Sequence, residues 1–201
     1  MIEKNLLKNT KKKNNDFIVS LNSKVCFFTG YRPQKCPWGF NEKDVRCLAM
    51  KEKIKHEIER VIKRGYDTFL CGMALGFDII CAEIVLELKK QYSHIKLVGA
   101  LPCKNQSCKW HEKDKIRYNK VLSQLDGVRC IYNYYVDGCM QERNNFMVNS
   151  SSLGIALFDG KSGGTKKTIE YAEKQNVEII IIKPLVGSSL ATFGRGGRGD
   201  A

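Results

Sequence analysis

Short apolar runs alternate with longer segments of helical periodicity along almost the whole chain, and this alternation constrains the fold more than any other sequence feature. Several runs, such as LGIALF and VEIIII, are apolar on both faces, which is typical of strands in a parallel sheet covered by helices. Because strand, helix and strand in succession form right-handed units, the sequence predicts an α/β protein. Its fold is predicted to be Rossmann-like and doubly wound, with a mainly parallel sheet and helices on both faces. The predicted strands span residues 24–29, 67–71, 95–101, 128–132, 153–158 and 177–182, and the predicted helices span residues 41–64, 77–90, 109–125, 139–148 and 165–174.

The segment boundaries divide the chain into one domain and two ends. Residues 1–23 are rich in Lys and Asn and are predicted to form a flexible basic arm. Residues 24–184 form the predicted Rossmann-like domain, and residues 185–201 a flexible Gly-rich tail. Asn41 is the predicted N-cap of the first helix, and Pro102 is predicted to end the third strand.

Cysteine usage and hydropathy indicate the cellular setting. The chain contains nine Cys, an odd number, and no apolar leader segment follows its start. No continuous apolar stretch approaches the length of about 18 residues that a membrane span needs. We therefore expect a cytoplasmic protein with free thiols and no membrane association.

The charge balance bears on the choice of partner. Lys and Arg number 34 against 21 Asp and Glu, which gives a formal net charge of +13. Such an excess favours anionic partners, either phosphorylated small molecules or nucleic acid. A basic surface that is merely solvated is the alternative, and composition alone leaves both interpretations open.

Ligands of doubly wound folds bind at the carboxyl ends of the strands, so the loops there are the candidate site. The first strand ends in TGYRP, where Gly30 allows close backbone approach and Arg32 supplies a guanidinium group suited to phosphate. The second strand ends in GMALGFD, a turn that opens a helix and can offer backbone N–H groups to an anion. The candidate ligand contacts in this second turn are Gly72, Met73, Gly76 and Asp78, the last either as a helix cap or as an acceptor from a ribose hydroxyl.

The fifth strand is followed by a second glycine-rich turn that opens a helix, with the sequence DGKSGGT. Gly163, Gly164 and Thr165 are its candidate phosphate contacts, and Asp159 is a candidate for ribose hydroxyls. Between the fourth and fifth strands, Arg143 and Asn144 lie in a helix whose later part is apolar. An Arg packed there needs a carboxylate or a phosphate as its partner. Together these features predict a phosphate or phosphoribosyl site.

The motifs TGYRP, GMALGFD, GCMQERNNFMV and DGKSGGT resemble those of the YpsA-like branch of the SLOG superfamily, which also contains the DprA and lonely-guy proteins. The resemblance covers about residues 24–184. It implies a Rossmann-like fold with a site for nucleotide derivatives or ADP-ribose-like ligands, and an assembly that is a homodimer or larger.

The lonely-guy enzymes release a base from nucleoside monophosphates, and part of their pattern is present here. Met140, Arg143 and Met147 match its first part, and Glu170 stands at the spacing of the family's catalytic Glu. Lys166 and Lys167 depart from that pattern where it has Gly and Thr. The resemblance therefore also raises Arg143 and Glu170 as candidate catalytic residues of a phosphoribohydrolase.

Three functions follow from these observations. The leading hypothesis is a cytoplasmic protein that binds or senses a nucleoside phosphate or an ADP-ribose-like molecule. The alternatives are a phosphoribohydrolase and a DprA-like protein that binds single-stranded DNA. No cofactor and no metal is predicted, although Cys103, Cys108 and His111 have a spacing that zinc could use if Cys139 approached. Trp110 either stacks on a base or anchors its loop on the core.

Overall fold

The computed structural model describes residues 24–185, in which six strands and five α-helices alternate as the sequence predicts. The predicted basic arm and Gly-rich tail lie outside the described residues, except for residue 185. The strands are β1 (Val25–Thr29), β2 (Thr68–Cys71), β3 (Lys96–Cys103), β4 (Gly127–Tyr132), β5 (Leu153–Leu157) and β6 (Glu178–Ile182). The helices are α1 (Val45–Lys63), α2 (Phe77–Leu88), α3 (Glu112–Leu122), α4 (Cys139–Asn149) and α5 (Gly164–Lys174), and a short 3-10 turn spans Pro33–Lys35.

All the strand pairs are parallel, and the strand order is β4-β3-β2-β1-β5-β6. The chain moves outward from β1 to β4 and then crosses back to place β5 on the other side of β1. The order thus reverses between β1 and β5, which makes the carboxyl ends of these two strands the topological switch point. The predicted Rossmann-like α/β fold is confirmed.

Both faces of the sheet are covered, and β1 shows this most clearly. Cys26 and Phe28 belong to the larger core cluster, which they form with side chains of α1, α2 and α3. Val25 and Phe27 face the other way, into a smaller cluster with side chains of α4 and α5. All five residues of β1 are buried, as expected for a central strand covered on both sides.

Among the predicted boundaries that differ from the structure, two have a clear local cause. The first helix begins at Val45 rather than after Asn41, because the Asp44 carboxylate accepts a hydrogen bond from the Arg46 N–H (2.8 Å) and caps the helix there. The third strand continues through Pro102 because β2 pairs only as far as Gly99, so the end of β3 has β4 as its one neighbour and tolerates a proline.

Within residues 24–185, no helix is both long enough and apolar enough to cross a membrane.

Candidate functional site

A cavity of about 220 Å³ lies at the carboxyl ends of β1 and β5, and we name it the switch-point cavity. It gathers seven of the predicted ligand-binding residues from four separate segments of the chain. These are Gly30, Arg32, Asp78, Arg143, Asn144, Gly164 and Thr165. Its remaining lining consists of Phe28, Thr29, Tyr31, Lys35, Ala74, Met140 and Met147.

Arg143 is the central charged group of this cavity. It projects from α4, and only 4% of its surface is exposed. Its Nη1 donates a hydrogen bond to the carbonyl oxygen of Gly72 and lies 3.8 Å from Oδ2 of Asp78, which is longer than a hydrogen bond. Its Nε has no hydrogen-bond partner among the described residues. A buried guanidinium group therefore retains unused hydrogen-bonding capacity at the cavity.

Gly72 is required by the close approach of Arg143. A Cβ atom built at this position would lie 1.7 Å from Nη1 of Arg143 and 2.7 Å from Oδ2 of Asp78. The sequence predicts a backbone N–H contact to an anion here. The structure instead shows the Gly72 carbonyl oxygen engaged by Arg143 and places Gly72 outside the cavity lining.

Asp78 lies in the first turn of α2, with 6% of its surface exposed. Its carboxylate accepts a hydrogen bond from the Ala74 N–H at 3.2 Å, so it stabilises the turn that precedes its own helix. Burial raises the pKa of Asp78, and the nearby Arg143 offsets this only in part. Burial also lowers the pKa of Arg143 despite the neighbouring carboxylate. Both pKa shifts disfavour the charged form of the side chain, so neither Asp78 nor Arg143 fully compensates the charge of the other.

The loops after β1 and β5 are tied together beside the cavity. The Tyr31 hydroxyl donates a hydrogen bond to the Asp159 carboxylate and accepts one from the Asp159 N–H at 3.2 Å. The Lys35 ammonium donates to the carbonyl oxygen of Ser162 at 2.9 Å. Hydrogen bonds from Lys161 and Tyr31 lower the pKa of Asp159 to about 2. Asp159 is thus engaged in joining the loops and does not line the cavity.

The sequence reasoning overlooked Tyr31 and Lys35, although both line the cavity. The available signal was their position in the loop after β1, on either side of Arg32. Their partners are more than a hundred residues away in the chain, so the contacts themselves leave no local pattern.

The turn between β5 and α5 supplies Gly164 and Thr165 to the cavity. Gly163 precedes the helix with a φ of 143°, and no side chain within the described part of the chain caps the helix there. Asn144 donates to the hydroxyl of Thr168 at 2.9 Å, which fixes α4 against α5. The amino end of an uncapped helix attracts anions, because its first N–H groups lack partners within the helix.

Other predicted residues lie elsewhere. Met73 is fully buried with a positive φ of 56°, and Gly76 lines a different cavity. Glu170 is exposed on α5, where its carboxylate lies 3.7 Å from the Lys166 ammonium, and it is not among the residues that line the switch-point cavity.

The remaining candidates are also placed by the structure. Cys103 is buried and Cys108 is exposed, and residues 24–185 contain no group of three or more Cys, His, Asp or Glu that could hold a metal. Trp110 packs edge-on against Tyr118, with ring centroids 5.2 Å apart, and so contacts the core.

The fold and the cavity define a class: a Rossmann-like α/β protein with a buried arginine at its topological switch point. The chain belongs to the YspA SLOG family, whose sequence profile matches residues 26–185. This match confirms the resemblance drawn from the four motifs.

Two relatives are similar to this chain over most of their length. The chain is 30% identical over 146 residues to a UPF0398 protein of Brevibacillus brevis, covering 72% of this chain and 77% of the relative. It is 33% identical over 145 residues to the uncharacterized SPbeta prophage-derived protein YoqJ of Bacillus subtilis, covering 66% and 85%.

Solved structures of DNA processing protein A (DprA) share the fold. The Streptococcus pneumoniae protein aligns with a TM-score of 0.58 and 14% identity, over 85% of this chain and 53% of that chain. The Helicobacter pylori protein, described for its mode of binding single-stranded DNA, aligns with a TM-score of 0.57 and 15% identity, over 83% and 68%. This chain therefore spans about half the length of the pneumococcal protein.

Proposed function

We propose that the protein binds a nucleotide derivative, either a nucleoside phosphate or an ADP-ribose-like molecule, and holds its anionic group in the switch-point cavity. The observation that carries the proposal is Arg143, which lines the cavity with a buried guanidinium group whose Nε has no hydrogen-bond partner among the described residues. A buried cation of this kind is stabilised by an anion that approaches closely and accepts its hydrogen bonds.

The other charges support an anionic ligand. Arg32 and Lys35 line the cavity together with Arg143, whereas Asp78 is its one acidic lining residue among those described. The amino end of α5 adds the partial positive charge of a helix dipole at Gly164 and Thr165.

The volume indicates which part of the ligand enters. Pockets for small molecules have volumes of roughly 300–1,000 Å³, so a cavity of about 220 Å³ accommodates part of a nucleotide rather than all of it. A phosphate group fits within this volume and matches the charge of the lining, and the rest of the ligand would lie over the strand ends.

The cellular setting and the assembly are further parts of the proposal. All nine cysteines are free and eight of them are at least partly buried, which supports a reducing cytoplasm. A homodimer or larger assembly stays a prediction that sedimentation velocity tests.

Titration calorimetry with AMP, ADP-ribose and adenosine tests the proposal. We expect the two phosphate-bearing molecules to bind and adenosine to bind at least tenfold more weakly. Arg143→Met should weaken AMP binding at least tenfold, because a good charged hydrogen-bond pair contributes about 1.5–3 kcal/mol. Arg32→Met changes a half-buried side chain and should act in the same direction without risk to the core.

Arg129→Met is the matched control, since Arg129 is exposed on β4 and outside the cavity lining. Equal binding of AMP by the wild-type chain and both cavity variants would overturn the proposal.

The same incubations, assayed for free base, test the phosphoribohydrolase alternative. That alternative has less support because Glu170 is exposed away from the cavity lining, and it requires base release that Glu170→Ala abolishes.

Binding of single-stranded nucleic acid is a second candidate, favoured by one specific observation. Tyr134 and Tyr135 follow β4 at the carboxyl edge of the sheet and are 76% and 58% exposed. Exposed aromatic rings are typical of proteins that stack unpaired bases, and the chain as a whole carries a formal net charge of +13. Fluorescence anisotropy with a labelled oligothymidylate tests it: binding should weaken steeply with salt and should fall in the double variant Tyr134→Ala/Tyr135→Ala.

A further inference from the structure

A second cavity, with a volume of about 460 Å³, lies on the side of the sheet covered by α1, α2 and α3. We name it the α1–α3 cavity. Its walls come from the loop after β1, the first half of α1, the start of α2 and the first half of α3. Its volume falls inside the range of roughly 300–1,000 Å³ that is usual for small-molecule pockets, unlike the switch-point cavity.

The two cavities share no lining residue. The 3-10 turn Pro33–Lys35 stands between them, since Pro33 lines the α1–α3 cavity and Lys35 lines the switch-point cavity. A hydrogen bond from the Phe77 N–H to the carbonyl oxygen of Tyr31 (3.2 Å) joins a lining residue of the α1–α3 cavity to one of the switch-point cavity. The α1–α3 cavity has no lining residue from α4 or α5.

The floor of the α1–α3 cavity is aromatic and rich in sulfur. Trp38 and Phe77 present aromatic rings, and Met50, Cys36 and Cys47 present sulfur atoms. All five residues are buried. Aromatic rings and thioether sulfur both make favourable contacts with the faces and edges of another aromatic ring.

The rim of the cavity is polar and held in place by ion pairs. The Glu42 carboxylate accepts hydrogen bonds from Arg117 (2.5 Å) and from Lys51 (2.7 Å), and Arg117 also donates to Glu83 (2.6 Å). Burial alone would raise the pKa of Glu42, but the hydrogen bonds from these two cations outweigh it and hold the pKa below its usual value.

Beyond this network, the rim offers hydrogen-bonding groups of every kind. Asn41 contributes an amide, Asp114 a carboxylate, and Lys43 and Lys113 contribute ammonium groups. The donors and acceptors of the rim can pair with a ring that has hydrogen-bonding atoms of both kinds on its edge. The aromatic and sulfur-containing side chains of the floor can contact the faces of the same ring.

We propose that the α1–α3 cavity is a second binding site, whose ligand is a planar aromatic heterocycle with hydrogen-bonding atoms on its edge. The ring lies against Trp38, and its edge faces the polar rim. This site shares no lining residue with the switch-point cavity, so its ligand contacts other side chains than the anion does.

The chain carries its own reporter for this test. Trp38 and Trp110 are its two tryptophans, so Trp110→Phe leaves Trp38 as the single source of tryptophan fluorescence. Adenine and cytosine serve as heterocyclic probes, and cyclohexanol serves as a ring without aromaticity. We expect saturable quenching of Trp38 emission by adenine or cytosine and none by cyclohexanol.

Variants of matched type separate this site from non-specific quenching. Leu75→Phe, placed in the Trp110→Phe background, enlarges a half-buried residue that lines the cavity and should weaken heterocycle binding at least tenfold. Leu48→Phe makes the same change at an exposed position of α1 outside the lining and should leave binding unchanged. Far-UV circular dichroism confirms that each variant is folded.

Two results would overturn the proposal. One is Trp38 emission that neither probe quenches saturably, and the other is quenching that Leu75→Phe leaves intact. Independence from the anion site is tested with Arg32→Met, which should leave the adenine titration unchanged even if it abolishes binding of AMP phosphate. Failure of phosphate binding would therefore not count against this second site.

Discussion

Replacing Gly72 with alanine tests the central contact of the switch-point cavity. The added Cβ would lie 1.7 Å from Nη1 of Arg143, whereas real Cβ contacts are essentially never shorter than 3.0 Å, so the guanidinium group must retreat by at least 1.3 Å. That displacement breaks its hydrogen bond to the Gly72 carbonyl oxygen and leaves the charge buried. A lost charged hydrogen bond costs about 1.5–3 kcal/mol, and overpacking adds about 1–3 kcal/mol.

We expect Gly72→Ala to lower the free energy of unfolding by about 2.5–6 kcal/mol, the sum of these two costs. With a urea dependence of about 2 kcal/mol per M, the unfolding midpoint should fall by about 1–3 M. Urea titration followed by both far-UV circular dichroism and tryptophan fluorescence measures this shift and checks that one transition describes both signals.

Gly164→Ala is the matched control, because a Cβ at Gly164 meets no atom within 4 Å and the residue begins α5 without a positive φ. It should change stability by less than about 1 kcal/mol, in the stabilising direction. A Gly72→Ala protein that unfolds at the wild-type midpoint and retains wild-type affinity for AMP would refute the inferred contact between Arg143 and the Gly72 backbone.

Two further predictions follow from the shifted carboxyl groups. Burial raises the pKa of Asp78, which faces Arg143, Arg32 and Cys71, and its protonation at lower pH removes a negative charge from the cavity. Sulfate affinity measured by calorimetry should therefore rise as the pH falls through this raised pKa, which lies above the usual value of about 3.9. In Asp78→Asn it should stay high and independent of pH, and a pH dependence that persists in this variant would exclude Asp78 as the cause. Glu42 has a lowered pKa, so its contribution to stability is present above the unfolded value of about 4.3 and is lost as the pH falls through the folded value. Glu42→Gln should thus lower the free energy of unfolding by about 1–2 kcal/mol at neutral pH, as measured by urea titration. Below a pH of about 4 the variant should lose less stability than the wild-type chain. Parallel pH profiles of stability for the two proteins would contradict this.

The fold could be predicted from the sequence because its signal is local. Each apolar run and each helical period lies within one element, and the topological rules for βαβ units supply the rest. The same rules place the candidate site at the strand ends, which is why Arg32 and Gly164 were predicted from their positions alone, whereas Arg143 was predicted from the apolar character of its helix.

The features that the sequence does not predict depend on contacts between residues that are distant in the chain. The local sequence predicts Gly72 only as a turn residue. A glycine is needed there because the side chain of Arg143, 71 residues further along the chain, approaches its backbone. The α1–α3 cavity was not foreseen, because placing the helix start at Asn41 rather than at Asp44 hid the loop that forms its wall. The links from Tyr31 and Lys35 to the loop after β5 exist only once β1 and β5 lie side by side.

The central position of β1 also has a consequence for synthesis. On one side β1 pairs with β2, which follows soon in the chain, but on the other side Cys26 pairs with Leu153. Until the ribosome has produced β5, β1 keeps one edge of backbone N–H and C=O groups unpaired, although all five of its residues are buried in the finished fold. Truncated chains that end before residue 153 should therefore depend on chaperones and aggregate without them, whereas chains that reach residue 157 complete the sheet around β1.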